Sequence, residues 1–166
     1  MDITNNKEGR PLAHFSSVFA GLDAFEAARR CGAAFDGAAF ELSLFGRAVR
    51  VSHPSASFEP DGPAASKSLL LRYLAEGRLT PFNGSFLAYR DVPWGSLYDP
   101  NFQGRCVRRF AKFGRDVPRW SECMRASGAR ALPGRGDAAF DWDVLPGLTV
   151  RWILWSGDAD DGIAPS

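Results

Sequence analysis

Histidine and cysteine are scarce in this chain, with two of the former and three of the latter among 166 residues. His14 and His53 form no H-x-x-x-H pair, so a zinc hydrolase site has no support. Cys31, Cys106 and Cys123 are odd in number and lie 75 and 17 positions apart. That spacing argues against a disulfide scaffold and against close-spaced iron–sulfur ligands, and it fits a reducing cytoplasm. An excess of charge of one sign is also missing: 20 basic residues face 19 acidic ones, for a formal charge of +1. Net charge therefore argues against nucleic acid or a membrane surface as partner. No run approaches the ~18 apolar residues of a membrane helix. The first residues lack the basic and apolar regions of a secretory signal. There is no G-x-S-x-G elbow, no P-loop and no dinucleotide fingerprint, and Gly134-Arg135-Gly136-Asp137 lacks the strand-then-helix context such loops need. These absences predict a soluble cytoplasmic protein with no membrane span and no assigned metal, its cofactor, if one exists, unknown.

What is present describes a globular core. Apolar residues make up 45% of the chain and charged residues 23%, and a chain of this length buries roughly 70% of its unfolded surface. The expected organisation is a loose arm over residues 1–15, a single domain over 16–160 and a tail over 161–166. Residues 17–30 carry Val18, Leu22 and Phe25 at helical spacing, with Ser16 or Ser17 as a cap and Gly32 as a stop. Residues 40–44 and 48–52 alternate and predict a hairpin with Phe40, Leu42, Leu44, Val49 and Val51 on one face. The proline-rich residues 53–64 predict a loop.

Residues 65–76 hold Leu69, Leu70, Leu71, Tyr73 and Leu74, a density that predicts a central helix buried on more than one side. Residues 86–89 read as a strand. A helix over 101–113 follows, started by Asp99-Pro100, with Phe102, Cys106, Phe110 and Phe113 as its buried stripe. Another helix over 117–127 is capped by Asp116 and turns Trp120, Cys123 and Met124 inward. Phe140, Trp142 and Val144 alternate with Asp141 and Asp143, then Pro146-Gly147 turns the chain into a strand over 148–155. That strand is apolar on both faces at its far end, which predicts an interior position. The fold expected is α+β: an antiparallel or mixed sheet covered by the three helices.

The segment over residues 83–98 is the candidate docking surface. Arg90, Asp91, Trp94 and Tyr98 follow a strand there, a mixed polar and aromatic set such as lines the lip of a pocket. The reading favoured over a pocket is Trp94 as a hydrophobic plug over the sheet, with Arg90 and Asp91 pairing each other. Asp137 joins this candidate ligand-binding set, since Asp91, Asp137, Asp158, Asp160 and Asp161 flank strands where oxygen ligands could gather. Turn residues are the favoured reading of such aspartates, since the side chain bonds nearby backbone donors. Arg105, Arg108 and Arg109, with Lys112 and Arg115, form a candidate anion-binding face, because arginine pairs bidentately with phosphate and carboxylate. A solvated helix face is the ordinary meaning of such a run.

Gly46-Arg47-x-Val49-x-Val51, residues 69–74, the 84–98 stretch, Gly136-Asp137-Ala138-Ala139-Phe140 and Trp155-Ser156-Gly157-Asp158 occur in an order that resembles a prokaryotic domain-of-unknown-function family, number 3786. The resemblance covers roughly residues 20–160. It implies a setting in anaerobic bacteria and archaea and no established activity. Some members carry an added cysteine-rich segment for an iron–sulfur cluster, which this chain lacks. Relatives also continue beyond the Gly-Asp stretch with a strand and a helix, so a shortened domain end is expected here, with a strand edge left open. The leading expectation is a non-catalytic accessory module that binds a small anionic ligand or a protein partner, because no nucleophile, base and orienter can be assembled. The alternatives are an enzyme acting on a small anionic metabolite, with Arg90 holding the anion and Asp91 or Asp137 as acid–base, and an iron–sulfur-associated protein.

Overall fold

The computed structural model describes residues 9–157 and Ser166. Asp158, Asp160 and Asp161 lie outside the described residues. The chain is α+β, as expected, and its strands form two antiparallel sheets. The described residues divide into two compact units, one comprising residues 9–81 and 144–148, the other 82–143, 149–157 and Ser166.

The first unit opens with helices α1 (Gly9–Ala20) and α2 (Ala24–Cys31). The single helix expected over 17–30 is thus two, and helix extends back into residues read as a loose arm. The break falls at Asp23, whose carboxylate accepts the Glu26 N–H at 3.0 Å and caps α2. Asp23 and Glu26 stand at capping-box spacing, a start signal inside the Ala-rich run. Ser16 and Ser17 lie within α1 instead of capping a helix. Gly32 ends α2 at φ 73, as its position predicts.

Strands β1 (Ala34–Phe35), β2 (Ala39–Leu44), β3 (Arg47–Ser52) and β4 (Ser57–Glu59) pair in sequence order. The expected β2–β3 hairpin forms with Phe40 opposite Val51 and Leu42 opposite Val49. Its two turn residues, Phe45 and Gly46, both have positive φ, the twist that suits a two-residue hairpin. Strand β4 lies inside the proline-rich stretch read as loop, paired to β3 through Val51 and Phe58.

Helix α3 (Ala64–Glu76) buries Leu70, Leu71 and Leu74 completely or nearly so, while Leu69 is 40% exposed. The helix is therefore covered over part of its circumference rather than all round. It packs on α1, and Phe19 of α1 meets Phe40 of β2 with ring centres 5.5 Å apart. Arg30 donates to the carbonyls of Leu74 and Gly77 at 2.6 and 3.1 Å, satisfying acceptors that the end of α3 leaves without helical partners.

The second unit holds α4 (Gly95–Phe102), a π turn (Gln103–Val107), α5 (Arg108–Ala111), a 3-10 turn (Lys112–Arg115) and α6 (Val117–Ala126). One straight helix over 101–113 is replaced by this broken run. Pro100 sits inside α4 rather than in a first turn, where it supplies no N–H to the helix. With the spacing altered by the π turn, Phe102, Cys106 and Phe110 are half-buried and Phe113 is 48% exposed. Helix α6 starts at the expected Asp116 cap, which accepts the Arg119 N–H at 3.0 Å. Its inner face is Trp120, Ser121 and Met124; Cys123, expected inside, is exposed.

Strands β5 (Arg130–Ala131), β6 (Ala138–Leu145) and β7 (Leu148–Leu154) form the second sheet. Trp120, Met124, Ala129, Phe140 and Leu154 make its core against α6. Strand β7 is an edge among the described residues, not an interior strand. Its apolar far end divides instead: Leu154 is buried, while Ile153 and Trp155 are 40% and 55% exposed. The Trp155 N–H and C=O bond to Ser166 at 2.8 and 3.0 Å.

Candidate functional site

The strand expected over 86–89 does not form. Asn83 accepts the Ser85 N–H on its own side chain at 3.0 Å, and Gly84 takes φ 85. This local bond offers the backbone an alternative to a sheet ladder. Tyr89–Asp91 then makes a single 3-10 turn. Asp91 N–H reaches the Ala88 carbonyl at 2.9 Å and Gly95 N–H the Val92 carbonyl at 2.8 Å.

Trp94 is held at φ 65 between these turns, a conformation that costs a non-glycine residue about 1–2 kcal/mol. Gly95 behind it is buried, and a Cβ there would stand 1.9 Å from the Tyr89 carbonyl oxygen. Tyr89 in turn stacks on Phe102 at 4.1 Å with planes 12° apart. The loop is therefore a packed construction that turns Trp94 outward, 80% exposed. Leu87, Leu97 and Tyr98 in the same stretch are 67%, 68% and 55% exposed. Arg90 and Asp91 are exposed and pair neither with each other nor with another described residue in an ion pair.

The basic run is only partly gathered. Arg108, Lys112 and Arg115, with Ala111, line an open cavity of about 400 Å³. Arg105 and Arg109 are exposed and are not among the described residues lining it.

Asp137 stands at a different surface. It lines a cavity of about 380 Å³ with Arg125, Gly134, Arg135, Gly136 and Phe140, not with Arg90 or Asp91. Gly136 has φ 56, and a Cβ would come within 2.7 Å of the Leu154 carbonyl oxygen. That close approach lets Asp137 accept the Ser156 N–H and hydroxyl, both at 2.7 Å. The backbone bond first, and then the hydroxyl, hold its carboxyl below the usual range. A carboxylate stabilised in its charged form is a poor proton donor near neutrality.

A third cavity involves residues read from the sequence as core. Phe110, Trp120 and Trp152 line about 200 Å³ together with Phe102 and other residues of β7. Phe110 stacks on Trp152 at 4.2 Å. The Nε1 groups of Trp120 and Trp152 are both buried, with no hydrogen-bond partner among the described residues. By contrast, Trp142 donates its Nε1 to the Ser127 carbonyl at 3.0 Å. An unmatched buried donor costs about 1–3 kcal/mol. Periodicity assigns Trp120 and Trp152 to an interior, but it carries no signal of where their N–H groups find acceptors.

Cys31 is buried, and that burial pushes its thiol up. Cys106 is half-buried and Cys123 exposed. Among the described residues, no three His, Cys, Asp or Glu side chains converge as a metal ligand set. No helix among them is long and apolar enough to cross a membrane.

The two antiparallel sheets and their helices define an α+β protein. Residues 23–166 match the family described as Domain of unknown function (DUF3786), and the chain belongs to that family. No curated protein and no solved structure matches it.

Proposed function

We propose that this protein is a non-catalytic binding module of the cytoplasm of an anaerobe, which docks a protein partner through the loop presenting Trp94. The observation that carries the reading is Trp94 itself: a strained backbone and a buried Gly95 support a large ring that is 80% exposed. Backbone strain kept at a surface residue points to a role for that residue. Tryptophan, tyrosine and arginine are the side chains that most often anchor interfaces, and Trp94, Tyr98 and Arg90 stand within one short stretch. The partner's complementary surface is an apolar pocket edged by polar groups that meet Arg90 and Asp91. Three unpaired thiols suit the reducing compartment, and the anaerobic setting follows the family resemblance.

A photo-crosslinking amino acid placed at position 94 or 97 in the source cells tests this directly. Both positions should give one discrete protein adduct, and the same probe at exposed Glu122 should not. Absence of an adduct, or an identical adduct from position 122, overturns the reading. Metabolite turnover by purified protein that disappears in Asp91→Asn would remove the non-catalytic part.

A further inference from the structure

We propose that the cavity between α6 and the turn over residues 133–137 binds a small carboxylate, its head group held by Arg125, Arg135 and the Ser121 hydroxyl. The proposal is independent of the Trp94 surface. The cavity measures about 380 Å³, a volume ordinary for small-molecule sites. It exists because the sheet presents small side chains there. Ala131 lies opposite Phe140 across the β5–β6 ladder, and Ala138 follows two positions from Phe140, so all three share one face. Phe140 packs on Trp120 of α6, whereas the two alanines leave a gap under the helix.

The polar groups come from both walls. Ser121 and Arg125 stand four positions apart in α6, one above the other on a single helix face. The Arg125 guanidinium lies 5.7 Å from the centre of the Phe140 ring, at the cavity wall. Ser121 is 8% exposed, and its hydroxyl has no hydrogen-bond partner among the described residues. It is nevertheless not one of the fully enclosed unmatched atoms, which belong to Ser68, Trp120 and Trp152. A half-open hydroxyl of this kind is a donor waiting for an acceptor. Arg135 enters from the opposite wall, at a turn whose flanking Gly134 and Gly136 both have positive φ.

Charge selects the ligand class. Neither Arg125 nor Arg135 forms an ion pair with another described residue. Asp137 is the carboxylate among the described lining residues, and it stays charged because one oxygen accepts the Ser156 N–H and hydroxyl, both at 2.7 Å. Two guanidiniums against one carboxylate leave the lining with a single positive charge. A carboxylate ligand neutralises it, while a phosphate dianion would add repulsion beside Asp137. Arginine pairs with a carboxylate through two parallel hydrogen bonds, and Ala131, Pro133 and Ala138 give the rest of the ligand an apolar bed.

Amide-detected NMR titration of the full chain with benzoate and with benzamide, its neutral isostere, tests the charge requirement. Benzoate should shift the Ser121, Gly134 and Arg135 amides and bind about tenfold more tightly than benzamide, the gain expected of charge-assisted hydrogen bonds. Arg125→Gln and Arg135→Gln should each weaken benzoate about fivefold and leave benzamide unchanged, and Ser121→Ala should weaken benzoate about threefold. Arg119→Gln removes an exposed cation of the same helix that is not among the described lining residues, and it should leave benzoate binding as it was. Where Ser121→Ala does not fold, the two arginine variants, both at exposed positions, decide alone. No shift of these amides, equal affinity for the two probes, a loss in Arg119→Gln matching those of the cavity variants, or tighter binding of phenyl phosphate than of benzoate overturns the proposal.

Discussion

The hydroxyl of Tyr73 lies 2.5 Å from the Cys31 carbonyl oxygen and 2.7 Å from that of Pro146. One side chain of α3 thus ties the end of α2 to the tip of the β6–β7 turn, residues 42 and 73 positions away. Burial first, and the neighbouring Cys31 thiol second, push its pKa up from 10.0 to about 12. A raised folded-state value means the native protein keeps a proton that the unfolded chain releases. The associated stability is complete below pH 10 and is lost as pH rises through 12. Tyr73→Phe should lower stability by about 1 kcal/mol at neutral pH, because two part-buried carbonyls lose the one hydroxyl proton they share. It should also flatten the decline between pH 10 and 12. Urea denaturation of both proteins across that interval reads both effects.

Asp36 provides the acid-side counterpart. Its carboxylate accepts the Ala38 and Ala39 N–H groups at 2.8 Å and pairs with Arg50 at 2.5 Å. The Ala38 bond first, with Arg50 next, lowers its pKa from 3.8 to about 2. Stability from this group is present above pH 3.8 and lost as pH falls through 2. Asp36→Asn should lose the turn's charged acceptor and show a shallower acid decline in that window, followed by circular dichroism.

Leu70 is 2% exposed on α3. Leu70→Ala should cost about 2–5 kcal/mol through lost transfer energy and the cavity left behind. Leu69→Ala, at a position 40% exposed, should cost clearly less. Midpoints of urea unfolding compare the two; equal losses would contradict a helix covered on one side only.

Trp94 and Gly95 should respond in opposite directions. Trp94→Gly removes the positive-φ penalty but adds unfolded-state freedom, so stability should stay level or rise by up to about 1 kcal/mol. Gly95→Ala drives a methyl group into the Tyr89 carbonyl and should lower the melting temperature by several degrees. Thermal unfolding of the two variants checks both signs.

Much of the local structure was legible in the residues themselves. The β2–β3 alternation, the leucines of α3, the Asp116 cap and the Gly32 stop carry their instruction within a few positions, because hydrogen bonding and side-chain period are local. Asp23 was legible too, as half of a capping box, but the surrounding alanines hid it. The segment over 86–89 misled because an apolar run reads as strand whether or not a neighbouring strand exists. Here Asn83 closes a turn on its own side chain. The candidate residues Arg90, Asp91, Trp94 and Tyr98 stayed together because they are neighbours in the chain. Asp137 belongs to a different cavity, and of the arginines 105, 108 and 109 only Arg108 lines the basic one.

By itself, the sequence determined the α+β class, the positions of β2, β3, α3, α6, β6 and β7, and the stretch that carries Trp94, all consequences of periodicity and turn chemistry acting over short range. Tertiary structure alone decided that the described strands form two sheets, that β7 is an edge among them, and that Cys123 faces outward while Ser121 faces in. It also decided which buried donors find acceptors: Trp142 meets the Ser127 carbonyl, whereas Trp120 and Trp152 meet none among the described residues. Partners for a buried polar atom come from distant parts of the chain, and no window of neighbouring residues contains them.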